Sequence, residues 1–264
     1  THGNIHNLER AYQKQAQAFK KAGVDFPFLA IWDDHDYGKN DGGVEFSLKD
    51  ESQKLFLKFW DIPKSDRRHQ NRGLFFEEII FSNEGTVQIL MLDTRYFRSP
   101  LKRTPILKKS RLGRYDPDYN PAKTMLGRDQ WEWLEVALKK EVDLRIIGTS
   151  IQLLAEGHGW ECWNNLPLER QRLLNLLAKY SNSNLIVISG DRHLGGMYSL
   201  RTKEGIEILE ITSSSMNKPG RNTNETGLLR IGDLYAGENF GLIRIDFQRK
   251  RTNIELHGLN KGVV

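Results

Sequence analysis

The sequence has almost no cysteine. Cys162 is the single cysteine among 264 residues, so an internal disulfide is excluded and the redox compartment cannot be read from bridges. Its place between Trp160 and Trp163 predicts a packing role in the interior. Long apolar runs are also lacking, since no stretch approaches the roughly 20 apolar residues that span a bilayer, and the first residues do not follow the charged-then-apolar pattern of a leader.

Charge of one sign is not concentrated in any part of the chain. The formal net charge of +5 comes from lysine and arginine residues spread over the whole length rather than gathered in a tail. This balance suits anionic substrates without requiring a nucleic-acid partner. At 264 residues the chain fits one large α/β domain with a sizeable core.

The most informative stretch begins with the apolar segment 26–32 and ends in three carboxylates around one imidazole. The apolar run predicts a buried strand, and Asp33, Asp34, His35 and Asp36 follow it before a glycine-rich loop. Clustered like charges repel one another, so such a group normally exists because a cation lies among them. The alternative is a solvated acidic turn, which the apolar strand before it does not favour.

A second apolar run, 185–189, ends in a similar way. Asp191 and His193 follow it two residues apart, and nearby glycines allow the backbone to turn tightly. Two strand ends that each carry an aspartate and a histidine predict convergence on one metal centre.

The remaining pattern predicts alternating helices and strands. Helical spacing of apolar residues predicts helices at 6–22, 47–60, 127–140 and 167–180, the first ending at Gly23 and the second capped by Ser47. Strands are predicted at 26–32, 74–81, 87–92, 144–148, 185–189, 197–202, 206–211, 241–247 and 252–257. Segments 99–124 and 213–238 are predicted to be loops.

Five motifs in one order carry a family resemblance. They are WDDHDYG at 32–38, LDTR at 92–95, GTSIQ at 148–152, the WECW to PLERQR region at 160–172, and GDRH at 190–193. Over residues 1–215 they resemble the alkaline phosphatase D (PhoD-like) branch of the metallophosphatase superfamily. The resemblance implies an α/β fold, specifically a four-layer αββα sandwich in a single domain over 1–264, with the first strands missing.

The missing strands are an expectation of the same resemblance. Members of that family carry further metal ligands on two earlier strand ends, Gly-Ser-Cys and Gly-Asp-Asn-x-Tyr, and neither motif occurs here. The chain begins at Thr1 without an initiator methionine. We therefore expect those ligands to belong to an upstream segment.

The resemblance also implies a function and assigns roles to residues. The reaction is hydrolysis of phosphomonoesters or phosphodiesters by a metal-bound hydroxide. The expected metal ligands are Asp34, Asp191 and His193, and the expected proton donor to the leaving group is His35. Asp33 and Asp36 are further ligands or supports of the ligands, and the sequence does not separate these two options.

Three further residues are candidates for substrate binding: Arg95, His158 and Arg192. An arginine at a strand end beside carboxylates forms a structural ion pair in most cases and a phosphate clamp in others. His158, in a glycine-rich loop, either faces the pocket or is an exposed loop histidine without a ligand role.

A carboxylate-rich ligand set with one clear imidazole and no thiolate favours calcium, manganese or ferric iron. The resemblance implies two or more ions, calcium with iron, and a secreted or periplasmic location. The expected partner is a small phosphoester rather than nucleic acid.

Two rival functions remain open at this point. A nuclease-type phosphodiesterase would need a basic, aromatic-lined groove, which the region 95–114 offers. A non-catalytic fragment or pseudoenzyme would keep the fold and lack part of the centre, and the metal content of the purified chain separates that case.

Overall fold

A computed structural model describes residues 3–105, 113–180, 184–220 and 224–264. The strands are β1 (Phe76–Phe81), β2 (Thr86–Leu92), β3 (Lys102–Arg103), β4 (Tyr115–Asp116), β5 (Leu144–Thr149), β6 (Leu185–Ser189), β7 (Gly195–Arg201), β8 (Glu207–Ser213), β9 (Arg230–Tyr235), β10 (Asn239–Asp246), β11 (Arg251–Gly258) and β12 (Gly262–Val263). The helices are α1 (Ile5–Ala22), α2 (Asp34–Tyr37), α3 (Lys49–Phe59), α4 (Gly127–Leu138) and α5 (Pro167–Tyr180).

The central element is a seven-stranded mixed sheet with the order β1-β2-β5-β6-β8-β7-β9. Strands β2, β5, β6 and β8 run parallel to their neighbours in this series. All six residues of β5 are buried, as expected for a parallel strand covered on both faces. Because the carboxyl ends of parallel strands lie at one edge of a sheet, the residues that follow these four strands come together there.

Helices α4 and α5 cover one face of this sheet. Trp131 and Leu134 of α4, together with Leu173 and Leu177 of α5, pack in the largest core cluster. Full burial of one such side chain contributes about 1.5–3 kcal/mol, so this layer fixes the parallel strands in place.

Within the described residues, no helix combines the length and the apolar character that a membrane span requires.

A three-stranded antiparallel sheet, β10-β11-β12, faces the other side of the central sheet. Ile243 and Ile254 pack against Val87, Ile146 and Ile186 of the parallel strands. The structure is therefore a mixed α/β fold with two facing sheets and helices on the outside of the larger one. The predicted α/β class is confirmed.

Helices α1 and α3 contribute to a second hydrophobic cluster, which also contains Trp32 and Tyr37 of the first acidic motif. The side chain of Asn4 accepts hydrogen bonds from the first turn of α1, and Gly23, with φ of 62°, ends the helix in the left-handed region. The Tyr12 and Phe59 rings stack between the two helices with centroids 4.6 Å apart. These contacts hold the segment that leads into the acidic motif.

Four predictions about local structure are wrong. The apolar segment 26–32 is not a strand, because within the described residues no neighbouring strand pairs with it. It is instead anchored by Trp32, which is fully buried against Phe56 and Tyr37. Ser47 does not cap α3, whose N-cap is Leu48 without a side-chain hydrogen bond. The predicted loop 213–238 contains β9, which pairs with β7. The predicted loop 99–124, of which 106–112 lie outside the described residues, contains β3 and β4, which pair with each other.

Candidate metal centre

The candidate site is a cavity of about 610 Å³ that lies where the ends of the parallel strands meet. Its acidic lining residues are Asp33, Asp34, Asp36, Asp41, Glu161, Asp191 and Glu225. Its basic lining residues are His35, Arg114, Arg192 and His193. Both acidic motifs found in the sequence therefore reach the same cavity.

The first motif is held by a single helical turn. The backbone N–H of Asp33 donates to the carboxylate of Asp36 over 2.7 Å, which closes the start of α2. The hydroxyl of Tyr37, which is buried, donates to the carbonyl of Gly43 over 2.7 Å and fixes the following loop. Asp34 is 6 % exposed and accepts the N–H of Asp41 over 3.1 Å.

The second motif leaves β6 in a backbone conformation that few residues adopt. Asp191 and His193 have φ values of 67° and 55°, and a left-handed conformation is uncommon for residues other than glycine. The N–H of Gly190 donates to the carbonyl of Ser150 over 3.1 Å, and the N–H of His193 donates to the hydroxyl of Ser214 over 3.0 Å. The ends of β5, β6 and β8 are thus joined, and such strained turns are typical of functional sites.

Two groups of carboxylates could hold a metal ion. Asp33, Asp34 and Asp191 form one group, and Asp34, Asp41 and Glu161 form the other. Within each group the ligand oxygens lie within 4.8 Å of one another. Asp34 belongs to both groups, so its carboxylate would contribute to a metal ion held by either of them.

The acidic groups of the cavity shift one another's pKa values. Burial, together with the charges of Asp33 and Glu161, raises the pKa of Asp191 well above its ordinary value. Burial also raises the pKa of Asp36 to about 7, and the neighbouring charges of Asp33 and Asp34 add to this effect. A cation placed among these carboxylates would relieve the repulsion and stabilise their charged forms.

Arg95 lies beneath the cavity rather than in it. Its fully buried guanidinium donates to Asp33, with the Nε to Oδ1 distance at 2.9 Å, and to Glu161 over 2.8 Å. Although burial opposes it, the charges of Asp33 and Glu161 raise the pKa of Arg95 further above its ordinary value. Arg98 contacts the same Glu161 over 2.7 Å. Both arginines therefore orient carboxylates of the candidate centre.

The two predicted histidines have different surroundings. The Nδ1 atom of His193 lies 2.6 Å from the carbonyl of Lys218. A carbonyl only accepts, so Nδ1 carries the proton and Nε2 has the lone pair that a metal needs. His35 lines the cavity with a side chain that is 66 % exposed, and its Nε2 lies 3.9 Å from Asp34.

Of the predicted substrate-binding residues, Arg192 reaches the cavity, where it forms an ion pair with Glu225. His158 is 2 % exposed, and its Nδ1 accepts the N–H of Trp160 over 3.0 Å. Burial, with the nearby charge of Arg192, lowers the pKa of His158 to about 3. His158 is therefore a neutral, buried imidazole behind the cavity wall.

Two residues of the carboxylate groups were not singled out from the sequence. Asp41 stands in the glycine-rich loop after the first motif, and Glu161 stands within the WECW motif. Both motifs were recognised, but neither residue follows a predicted strand. Only the packing of Arg95 and Arg98 against Glu161 brings it to the cavity, and that contact spans 66 residues for Arg95.

Ligands of open α/β sheets bind outside the carboxyl ends of the parallel strands, and carboxylates gathered there can supply metal ligands. The model of the PhoD-like phosphatase family matches residues 7–256. The chain belongs to the PhoD-like phosphatase family.

Two relatives illustrate the similarity. Alkaline phosphatase D of Bacillus subtilis (strain 168) is 21% identical in an alignment 249 residues long that covers 83% of this chain and 40% of that protein. A solved structure described as the structure of PhoD superposes with a TM-score of 0.62 at 15% identity, covering 88% of this chain and 52% of that one. The chain thus spans about half the length of these relatives or less, and the structural likeness supports the fold.

Proposed function

We propose that the chain is a metal-dependent hydrolase of phosphoesters. The observation that carries this proposal is the pair of carboxylate groups that share Asp34 in one cavity. Membership of the PhoD-like phosphatase family supports the choice of phosphoesters as substrates. Release of nitrophenolate from p-nitrophenyl phosphate and from bis(p-nitrophenyl) phosphate, with Ca²⁺ or Mn²⁺ added, tests the activity and separates monoesters from diesters.

The donors of the cavity fit hard cations. They are carboxylates in both groups, the imidazole of His193 lines the same cavity outside these groups, and the one cysteine of the chain is buried. Calcium, manganese and iron accept such ligands. Asp33, Asp34 and Asp191 with His193 would hold one ion, and Asp34, Asp41 and Glu161 a second. Bound ions acidify water and neutralise charge on the phosphoryl oxygens.

The chain's own residues would position the substrate and move protons. His35 is the exposed imidazole beside Asp34, so it can hydrogen-bond the phosphoryl group and protonate the departing alkoxide. Arg192, which lines the cavity beside Asp191 in the second motif, would contribute positive charge. Arg95 and Arg98 are occupied by buried carboxylates and act as positioning residues.

Replacing His35 with alanine is expected to reduce kcat by about 10²–10⁴-fold with an alkyl phosphate. The loss should be much smaller with p-nitrophenyl phosphate, because nitrophenolate leaves without needing a proton. Metal content should be unchanged. The measurement is phosphate release from both substrates, with elemental analysis of each protein.

A matched control is His69→Ala, since His69 is exposed and its ring contacts the carbonyl of Ile62 outside the cavity. Equal losses of turnover with both substrates would contradict the role of His35 as the acid. Loss of metal in the His35 variant would make it a ligand instead.

A further inference from the structure

One wall of the cavity is built by two loops that approach very closely. The N–H of Gly113 donates to the carbonyl of His158 over 2.9 Å, and the N–H of Tyr115 donates to the carbonyl of Gly159 over 2.8 Å. A Cβ atom on Gly113 would lie 2.0 Å from backbone atoms of Gly159, so only glycine allows this contact. The contact fixes the two residues that follow these glycines, Arg114 and Trp160, and both line the cavity.

Arg114 is the least neutralised arginine of this cavity. Its side chain is 47 % exposed, and its ion pair with Asp41 is long, at 3.4 Å from Nε to Oδ2. The guanidinium also lies over the Trp160 ring, 5.8 Å from its centroid, which restrains it without removing its charge. By contrast, Arg192 has 8 % of its side chain exposed and is paired with Glu225.

Arg114 contacts one of the carboxylates of the candidate metal centre. Asp41, its partner, belongs to the group of ligand oxygens that lie within 4.8 Å of one another. If a phosphoryl group is bound at this centre, Arg114 would therefore lie within reach of a substituent a few bonds away from the phosphorus. Guanidinium groups bind carboxylates and phosphates through paired hydrogen bonds.

We propose that Arg114, supported by Trp160, binds an anionic group on the leaving group of the substrate. The inference rests on the proposed phosphoester hydrolysis and names its substrate class: phosphoesters whose leaving alcohol carries a carboxylate or a second phosphate. Hydrolysis breaks the bond between phosphorus and the ester oxygen. Water supplies a hydroxyl to phosphorus and a proton to the departing alcohol. Arg114 contacts only the departing part and is a specificity-determining residue.

The test compares two substrates that share a skeleton. Glycerol 3-phosphate carries a hydroxymethyl group where 3-phosphoglycerate carries a carboxylate, and phosphate release reports both. The wild-type chain is expected to show a KM about tenfold lower for 3-phosphoglycerate, since a charge-assisted hydrogen bond is of this strength. Arg114→Gln should remove this preference by raising the KM for 3-phosphoglycerate more than the KM for glycerol 3-phosphate.

The control is Arg128→Gln, which removes one positive charge from an exposed position on α4, where Arg128 pairs with Glu132. This variant should keep the preference. Arg114→Lys should keep part of it, because lysine retains the charge but not the planar fork. Equal KM values in the wild type, or equal changes for both substrates in Arg114→Gln, would overturn the inference while hydrolysis itself stands. Hydrolysis of a nitrophenyl ester without hydrolysis of either glycerol-based substrate would overturn the inference alone, whereas failure with all of these esters would overturn the proposed function and the inference with it.

Discussion

Replacing Asp34 with asparagine is expected to remove the bound metal and reduce phosphoester hydrolysis on the order of a thousandfold or more, since metal ions contribute several kcal/mol to such reactions. Asp34 belongs to both carboxylate groups, so its charge supports both candidate ions. Asparagine keeps an oxygen that can accept the N–H of Asp41, and the fold should survive. The measurement is elemental analysis after gel filtration, together with phosphate release.

The same measurements on variants of the other ligand residues should show smaller losses of metal. Asp191→Asn and Asp41→Asn each remove one member of a single group, so each variant should lose about half of the metal that the wild type holds. His193→Ala should resemble Asp191→Asn. Asp25→Asn, at an exposed position after α1, is the control and should keep all of it. Full metal content in the Asp34 variant would show that the two groups are not the binding site.

Replacing Arg95 with methionine is expected to lower the free energy of unfolding by about 3–5 kcal/mol, because removing one partner leaves the other charges of a buried ion pair uncompensated. Arg95 is fully buried between Asp33 and Glu161. Urea unfolding of the metal-free protein measures the effect, since bound cations would themselves compensate these carboxylates. Arg95→Lys should recover little of the loss, because an ammonium cannot reproduce the fork.

The control for this prediction is Arg128→Met. Arg128 forms an exposed pair with Glu132 on one face of α4, and such surface pairs contribute about 0–1 kcal/mol. If the free energy of unfolding of the Arg95 variant changes by less than about 1 kcal/mol, Arg95 is not needed to compensate the charges of Asp33 and Glu161.

The sequence predicted that the two acidic motifs converge because each follows an apolar run, but only the second of these runs forms a strand. Apolar residues before Asp191 form a parallel strand, and the carboxyl ends of such strands share one edge. The first motif reaches the cavity by a different route, since the segment before Asp33 is unpaired within the described residues. There a buried tryptophan, Trp32, replaces strand pairing as the anchor.

Other parts of the site depend on contacts between distant residues. Glu161 enters the centre because Arg95 and Arg98 hold it there, and neither contact has a periodic pattern in the sequence. Asp41 is placed by its N–H bond to Asp34 and by the hydroxyl of Tyr115, 74 residues away. Strand β9 cannot be predicted from the sequence because its residues, RIGDLY, do not alternate between apolar and polar, and none of them is buried.

We expect hydrolysis to depend on metal held by the carboxylates around Asp34. Phosphate release from p-nitrophenyl phosphate should be measured on the wild-type chain before treatment with EDTA, after it, and after Ca²⁺ or Mn²⁺ is added back. We expect turnover to disappear with the chelator, to return with the metal, and not to return in Asp34→Asn. Unchanged turnover in chelated protein whose metal content has been shown to be zero would contradict the claim.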